Sequence, residues 1–352
     1  MKNEIDETIA SDFGAISPEL FKKLNGKRIL VTGATGLVGS SLIRYLLLAN
    51  MCYDLKIHPI AAVRSEEKAR AIFLPYTAGG DVETVVCDFA DVHELSVPGP
   101  IDYVVHAAAI TTSRLMVTRP VEVIQTSVDG TQVMLNLAHR KQARFLYISS
   151  MEVYGTMDTS VATTEDMLGT IDISSVRSGY PESKRLCELM CRSYLAEYGT
   201  DIVIARLAQT FGAGVMPGDN RVFMQFARSA MSREDIVLKT EGLSEGNYVY
   251  ISDAIAALLT LLTNGKSGEA YNVCNEETHT TIREMAHLVS DVVSCGKSKV
   301  IIALEDRGTS GYAQDAHLTL SSKKLQELGW KPVVDLAESY RRLTRYMSEQ
   351  GF

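Results

Sequence analysis

Tyr180-Pro-Glu-Ser-Lys184 places a phenol and an ammonium four residues apart, on one face of a helix. A phenol with its ordinary pKa near ~10 is a poor base at neutral pH. An ammonium one turn away favours the phenolate and moves it toward useful basicity. Such a pair can take a proton from an alcohol while hydride leaves the same carbon. Tyr-x-x-x-Lys alone is a common pattern. It gains meaning here from Ser150, at the end of a strand-like run, and from a glycine pattern far upstream.

That pattern is Gly33-Ala-Thr35-Gly36-Leu37-Val38-Gly39, which follows the run Arg28–Thr32 and opens a helical run. Strand, tight turn and helix start are the context a dinucleotide site requires. One glycine allows the turn, one lets backbone approach a pyrophosphate, and one lets helix pack on strand. Amides at the helix start and the helix dipole then hold the phosphates. NAD sites usually end the second strand in Asp or Glu, to bind the ribose hydroxyls. Here Arg64 stands at that place. Its fork of donors suits a 2′-phosphate, so the cofactor is NAD or NADP with Arg64 favouring NADP. Asp88, followed by Phe89, is a candidate for the adenine amino group or for a helix cap.

The elements that must hold these residues alternate in type. Strand-like runs rich in Val and Ile fall at Arg28–Thr32, Ile57–Val63, Thr84–Cys87, Tyr103–His106, Arg144–Ser149 and Ile202–Ala205. Several are apolar throughout, as strands buried on both faces are. Helical runs separate them, at Leu37–Ala49, Glu66–Ile72, Val121–His139 and Glu182–Tyr198. The alternation predicts an α/β Rossmann fold with a doubly wound parallel sheet. After Arg206 the pattern changes, with a Gly/Pro-rich loop and then helices at Val222–Met231, Asp253–Thr263, Ile282–Val293, Ser321–Leu328 and Leu336–Met347. Strands are predicted at Asn247–Tyr250 and Ala270–Val273. Residues 1–25 thus read as an amphipathic lead-in and 26–206 as the NAD(P)-binding domain. Residues 207–352 read as a smaller C-terminal α/β substrate lobe, interleaved with the last sheet strands.

Composition bounds the partners. Across 352 residues, apolar types make up 46% and charged types 22%, which suits a globular chain with a sizeable core. A net charge of −8 with no basic stripe argues against nucleic acid. Six scattered cysteines show no disulfide framework, and Cys187 and Cys191, one turn apart, lack the further ligands of a zinc site. No metal is expected. The first 24 residues are acidic with no apolar core of a signal peptide, and no run approaches a membrane span. A cytoplasmic protein without membrane contact is expected.

Taken together, Gly33-x-x-Gly36-x-x-Gly39, His106-Ala107-Ala108-Ala109, Ser149-Ser-Met-Glu-Val-Tyr-Gly155 and Tyr180-Pro-Glu-Ser-Lys184 resemble the extended short-chain dehydrogenase/reductase superfamily. Within it the chain resembles the nucleotide-sugar epimerase/dehydratase group, from about Gly26 to Leu328-Gly-Trp-Lys-Pro332. The resemblance implies that Ser150 and Tyr180 share the sugar 4-hydroxyl, that Lys184 lies on the nicotinamide ribose, and that Ala107 to Ala109 line the cofactor. Ser127 falls at a cofactor-side position where the group often has Asn. Thr111, Gln209 and Arg221 are substrate-side candidates, Gln209 also replacing a usual Asn. Where the group carries a phosphate-clamping Arg before Tyr248-Val-Tyr250, this chain has Gly246; Arg221 and Arg307 are the candidates to compensate. A homodimer through the helices at Val121–His139 and Glu182–Tyr198 is the group's usual assembly.

Ser150-Met151-Glu152 narrows the chemistry. Related dehydratases typically read Thr-Asp-Glu, with the Asp giving a proton to the departing oxygen, and related UDP-glucuronate decarboxylases resemble Thr-Ser-Glu. Methionine has no proton to give, so dehydration lacks its acid. With Glu152 retained, the leading expectation is a UDP-glucuronate decarboxylase-like enzyme. The alternatives are a 4-epimerase needing only Ser150, Tyr180 and Lys184, an NADPH-dependent 4-keto-sugar reductase supported by Arg64, and a dinucleotide-binding protein without catalysis.

Overall fold

A computed structural model describes residues 5–77, 82–157, 161–304 and 316–352. Seven parallel strands form the central sheet: β1 (Arg28–Thr32), β2 (His58–Val63), β3 (Glu83–Val86), β4 (Tyr103–His106), β5 (Arg144–Ser150), β6 (Ile202–Leu207) and, after three strands of the lobe, β10 (Ala270–Val273). Their order is β10-β6-β5-β4-β1-β2-β3. The chain runs outward from β1 in both directions, which makes the β1/β4 boundary the topological switch point. Register puts Thr32 level with His106 there, and β5 carries the sheet on to Ser150, level with Leu207. Every candidate catalytic side chain is therefore delivered to one edge, the carboxyl ends of the strands.

Alternation along each strand divides the core in two. Ile29, Val31, Val105, Leu146, Ile148, Val203 and Ala205 enter one cluster; Leu30, Val104, Phe145, Tyr147, Ile202 and Ile204 enter the other. This double burial is why β1, β4, β5 and β6 read as continuous apolar runs. The helices Leu37–Tyr53, Pro120–Lys141 and Gly179–Tyr198 cover the faces and extend beyond their sequence-based limits by up to a turn. Among the described residues, no helix is long and apolar enough to cross a membrane.

Residues beyond β6 build two small sheets. In one, β7 (Gln209–Phe211), β9 (Glu245–Tyr250) and β11 (Asn275–Thr281) lie in the order β11-β9-β7; in the other, β8 (Ile236–Leu238) pairs with β12 (Val300–Ile302). The helix expected at Ser321–Leu328 is only Lys323–Gln326. Its first residues are held elsewhere: the Ser322 amide donates to Glu276 Oε1 at 2.7 Å, and the Ser321 carbonyl accepts from Asn272 Nδ2 at 3.0 Å. The lead-in contains two helices, Glu7–Gly14 and Pro18–Lys22, whose Phe13 and Phe21 rings pack 5.3 Å apart against the core. Asp12, fully buried on the first of them, accepts from Tyr250 Oη at 2.8 Å and from Arg342 Nη1 at 3.0 Å.

Candidate active site

The turn after β1 takes the form its glycines permit. Gly33 has φ of 62°, a left-handed conformation, and a Cβ there would lie 2.7 Å from the Ala107 carbonyl oxygen. A Cβ on Gly39 would run into the Gly33 carbonyl, so this residue sets how closely the helix Leu37–Tyr53 packs on the turn. Gly36 caps that helix and is exposed, which leaves the outer face of the turn bare. A pyrophosphate could approach that face and meet the free amides of the helix start, so the residues present fit a dinucleotide.

Thr32 joins the two strands of the switch point. Its Oγ1 accepts from the Ala107 and Ala108 amides at 3.1 Å each and lies 2.8 Å from His106 Nδ1. With both lone pairs engaged, the hydroxyl proton goes to Nδ1, which leaves the imidazole proton on Nε2. Burial, with the Lys184 charge, pushes the His106 pKa down to about 3, so the ring is neutral. His106 thus serves as a strand-end tie that orients Ala107–Ala109.

Tyr180 is buried on the first turn of the helix Gly179–Tyr198, against Met116 and Val123. Burial raises its pKa and the Glu152 carboxylate adds to the rise, while a hydrogen bond from Ser150 and the charges of Arg177 and Arg221 act the other way. Lys184, one turn on, is buried with Nζ donating to the Ile148 carbonyl at 2.7 Å and lying 5.9 Å from the Tyr180 ring centroid. Burial lowers its pKa to about 8. Arg177 and Arg221 thus join the Lys184 ammonium as cations set near the phenol. Glu152, in the turn Met151–Tyr154 after β5, is paired with Arg177 at 2.8 Å. Arg221 pairs with Asp219 at 2.6 Å.

A buried polar network lies behind this edge. Ser149 Oγ donates to Glu188 Oε1 at 2.6 Å, and Glu188 meets Arg206 at 2.7 Å with the two side chains 7% and 5% exposed. Arg206 reaches Tyr154 Oη at 3.0 Å, and Tyr154 donates to Asn272 Oδ1 at 2.7 Å. The network fastens the helix carrying Tyr180 and Lys184 to β5, β6 and β10.

Of the residues singled out in the sequence, the glycine turn, Ala107–Ala109, Ser150, Glu152, Tyr180 and Lys184 gather at this edge. Arg64 is exposed just past β2, and Asp88 lies past β3 with Oδ1 accepting from the Ala90 amide at 3.1 Å. Phe89 is buried edge-on to His106. Ser127 is buried with its hydroxyl donating to the Val123 carbonyl at 2.9 Å, and Cys187 Sγ donates to the Ser127 carbonyl at 3.3 Å. Thr111 is exposed on the loop after β4; Gln209 is half-buried at the start of β7. Arg307 lies outside the described residues. A Cβ on Gly246 would meet only the Leu318 carbonyl and the Met151 methyl, each at 3.9 Å. Thr32 and Arg177 were not singled out: a strand-end threonine is unremarked in an apolar run, and Arg177 sits in a Ser-rich loop without periodicity. The cue available for Arg177 was its place one turn before Tyr180.

The chain is 29% identical to UDP-glucuronic acid decarboxylase 1 of Danio rerio over 325 residues, covering 92% of this chain and 73% of that protein. It is 30% identical to UDP-glucuronic acid decarboxylase 6 of Arabidopsis thaliana over 314 residues, covering 88% and 86%. In structure it is similar to DesIV, a dTDP-glucose 4,6-dehydratase of Streptomyces venezuelae solved with NAD and TYD bound, with a TM-score of 0.75, 26% identity and coverage of 92% and 97%. Residues 29–274 match a family model, a span that begins within β1, ends one residue past β10, and so takes in the seven-stranded sheet with its glycine turn and Tyr–Lys helix. The chain belongs to the NAD dependent epimerase/dehydratase family.

Proposed function

We propose that the protein modifies a nucleotide-linked sugar through a 4-keto intermediate, with decarboxylation of a nucleotide-linked glucuronate as its reaction. Gly33, Thr35, Gly36, Leu37, Val38 and Gly39 would hold the dinucleotide's phosphates, with Asp88 and Phe89 at the adenine and Ala107–Ala109, Ser127 and Lys184 toward the nicotinamide. Arg64, which pairs with no carboxylate among the described residues at the end of β2, favours NADP; the dehydratase from Streptomyces venezuelae was solved with NAD. Residues 26–206 would serve as the dinucleotide-binding domain and 207–352 as the substrate lobe, with Thr111, Gln209 and Arg221 on the substrate side.

When bound, the nicotinamide supplies the hydride acceptor and donor for the sugar C4. Tyr180 takes the proton of the C4 hydroxyl, and Ser150 donates a hydrogen bond that holds the phenolate and the hydroxyl in line. Oxidation at C4 makes a C5 carboxylate a β-keto acid: it leaves as carbon dioxide, its bonding pair passes into a C4–C5 enolate, and a proton from water completes C5 before C4 is reduced again. Tyr180 then returns its proton to the C4 oxygen.

Met151 carries the choice of reaction. It stands between Ser150 and Glu152 in the half-buried turn after β5, where its thioether has no proton for a leaving oxygen. A second reading, 4-epimerisation, is favoured by the Glu152–Arg177 ion pair, which gives the carboxylate a fixed partner instead of leaving it free as a base. Assembly as a homodimer is supported by apolar side chains exposed on the two sheet-covering helices: Val121, Ile124, Leu186 and Leu189.

A panel of nucleotide sugars incubated with NAD and NADP in parallel, followed by mass spectrometry and proton NMR, tests the reading. Carbon dioxide loss from UDP-glucuronate is the expected outcome, and it should vanish in Tyr180→Phe, by about 10²-fold or more. An unchanged mass with a new sugar spectrum would replace decarboxylation by epimerisation. NADPH consumption only with a 4-keto sugar would make the protein a reductase.

A further inference from the structure

Glu152 and Tyr180 make opposing demands. The carboxylate in the turn after β5 raises the proton affinity of the phenol, whereas a base must release its proton to work. The chain leading into the tyrosine helix supplies a counterweight. Arg177, in the turn Val176–Ser178, reaches back to Glu152 and holds both carboxylate oxygens with one nitrogen: Nη2 is 3.0 Å from Oε1 and 2.8 Å from Oε2. The side chains are 26% and 27% exposed, so water screens them only in part.

The other charges facing Tyr180 are differently committed. Arg221 is held by Asp219 through four contacts of 2.6 to 3.1 Å, which offset its charge locally. Lys184 is tied back to the Ile148 carbonyl, and His106 is neutral. Tyr147, buried and protonated, and Ser150 complete the polar surroundings, with Ala109, Ile110, Met116 and Val123 as the apolar wall. Arg177 is the cation paired to Glu152, the carboxylate that opposes the phenolate.

We propose that Arg177 is a positioning residue for the tyrosine base: it fixes Glu152 and offsets that carboxylate's charge at the Tyr180 phenol. The proposal rests on Tyr180 being the base. Glu152 can then stand beside the sugar without disabling its neighbour. It also follows that the pair acts as one unit, since removing Arg177 harms the phenol only while Glu152 is present.

The test needs no substrate. Ultraviolet difference titration of tyrosinate is run on the protein saturated with NAD between about pH 7 and 10, each variant against its own Tyr180→Phe partner, which isolates Tyr180. Arg177→Met should lower the Tyr180 tyrosinate signal about tenfold at a fixed pH below the midpoint, an upward shift of about one pH unit. Arg177→Lys, which keeps the charge, should lose less than half of that. Adding Glu152→Gln to Arg177→Met should restore the wild-type titration. An unmoved titration in Arg177→Met, with NAD affinity and circular dichroism intact, would overturn the proposal. Should Arg177→Met fail to fold, Glu152→Gln alone decides: the signal must rise, and no rise counts against the coupling. Full turnover by Tyr180→Phe would instead sink the assignment of the base, so the two failures are distinguishable.

Discussion

Truncating Glu188 to alanine removes half of an ion pair that is almost sealed from water, and the cost follows from what is left behind. Glu188 and Arg206 are 7% and 5% exposed, joined at 2.7, 3.0 and 3.3 Å. Burial disfavours the Arg206 charge, and the Glu188 carboxylate more than restores it. Without that carboxylate the guanidinium retains only Tyr154 Oη at 3.0 Å and the Glu165 carbonyl at 2.9 Å, and Ser149 loses its acceptor. Breaking one side of a buried pair costs about 3–5 kcal/mol. An exposed pair such as Lys22–Glu19, at 53% and 71% exposure, is worth about 1 kcal/mol at most. Urea unfolding monitored by circular dichroism separates the two scales, provided that m is unchanged. Replacing both partners, as Glu188→Leu with Arg206→Met, should recover most of the loss, because no charge then stays buried alone. A loss under about 1 kcal/mol in Glu188→Ala would refute the argument, since water would then be reaching Arg206.

Asp12 and the exposed helix faces offer two independent checks. Burial raises the Asp12 pKa from its ordinary value to about 6, despite Tyr250 and Arg342. The folded chain therefore binds this proton more tightly than the unfolded chain. The Asp12 contribution is full below about pH 4 and is lost as pH rises through 6, on the order of 2–3 kcal/mol. Stability measured against pH should show that fall relative to Asp12→Asn, with both proteins carrying Asp253→Asn because Asp253, also raised to about 6 by burial, acts on Asp12; parallel curves would refute it. For the dimer, Leu189→Glu places a charge at an apolar position that is 60% exposed in the single chain. A two-fold interface counts each change twice, and each buried leucine is worth about 1.5–3 kcal/mol, so dissociation should tighten the sedimentation profile to a monomer. A wild type that sediments as a monomer would remove the homodimer outright.

What could be read in advance divides by the range of the interactions concerned. β1, β4, β5 and β6 are covered on both faces, so their own composition announces them, and the glycine turn is specified by residues within seven positions of one another. β11 was not anticipated: Asn275-Glu-Glu-Thr-His-Thr-Thr281 is polar, and becomes a strand because β9 lies beside it, with a register shift between Asn275 and Thr280. β8 and β12 are three residues each and pair across more than sixty positions, beyond what local pattern can report. The same holds for charge. Asp12 looks like any helix-surface acid until Tyr250 and Arg342, 238 and 330 residues away, close over it. Glu152 shows in the sequence only as the last residue of Ser150-Met151-Glu152, and its partner, Arg177, is 25 residues on, in a loop whose composition says nothing. Sequence spacing could put forward candidate reacting groups because a helix turn or a glycine turn is local. It could not give their electrostatic balance, because a carboxylate's effect on Tyr180 depends on which cation the fold sets against it.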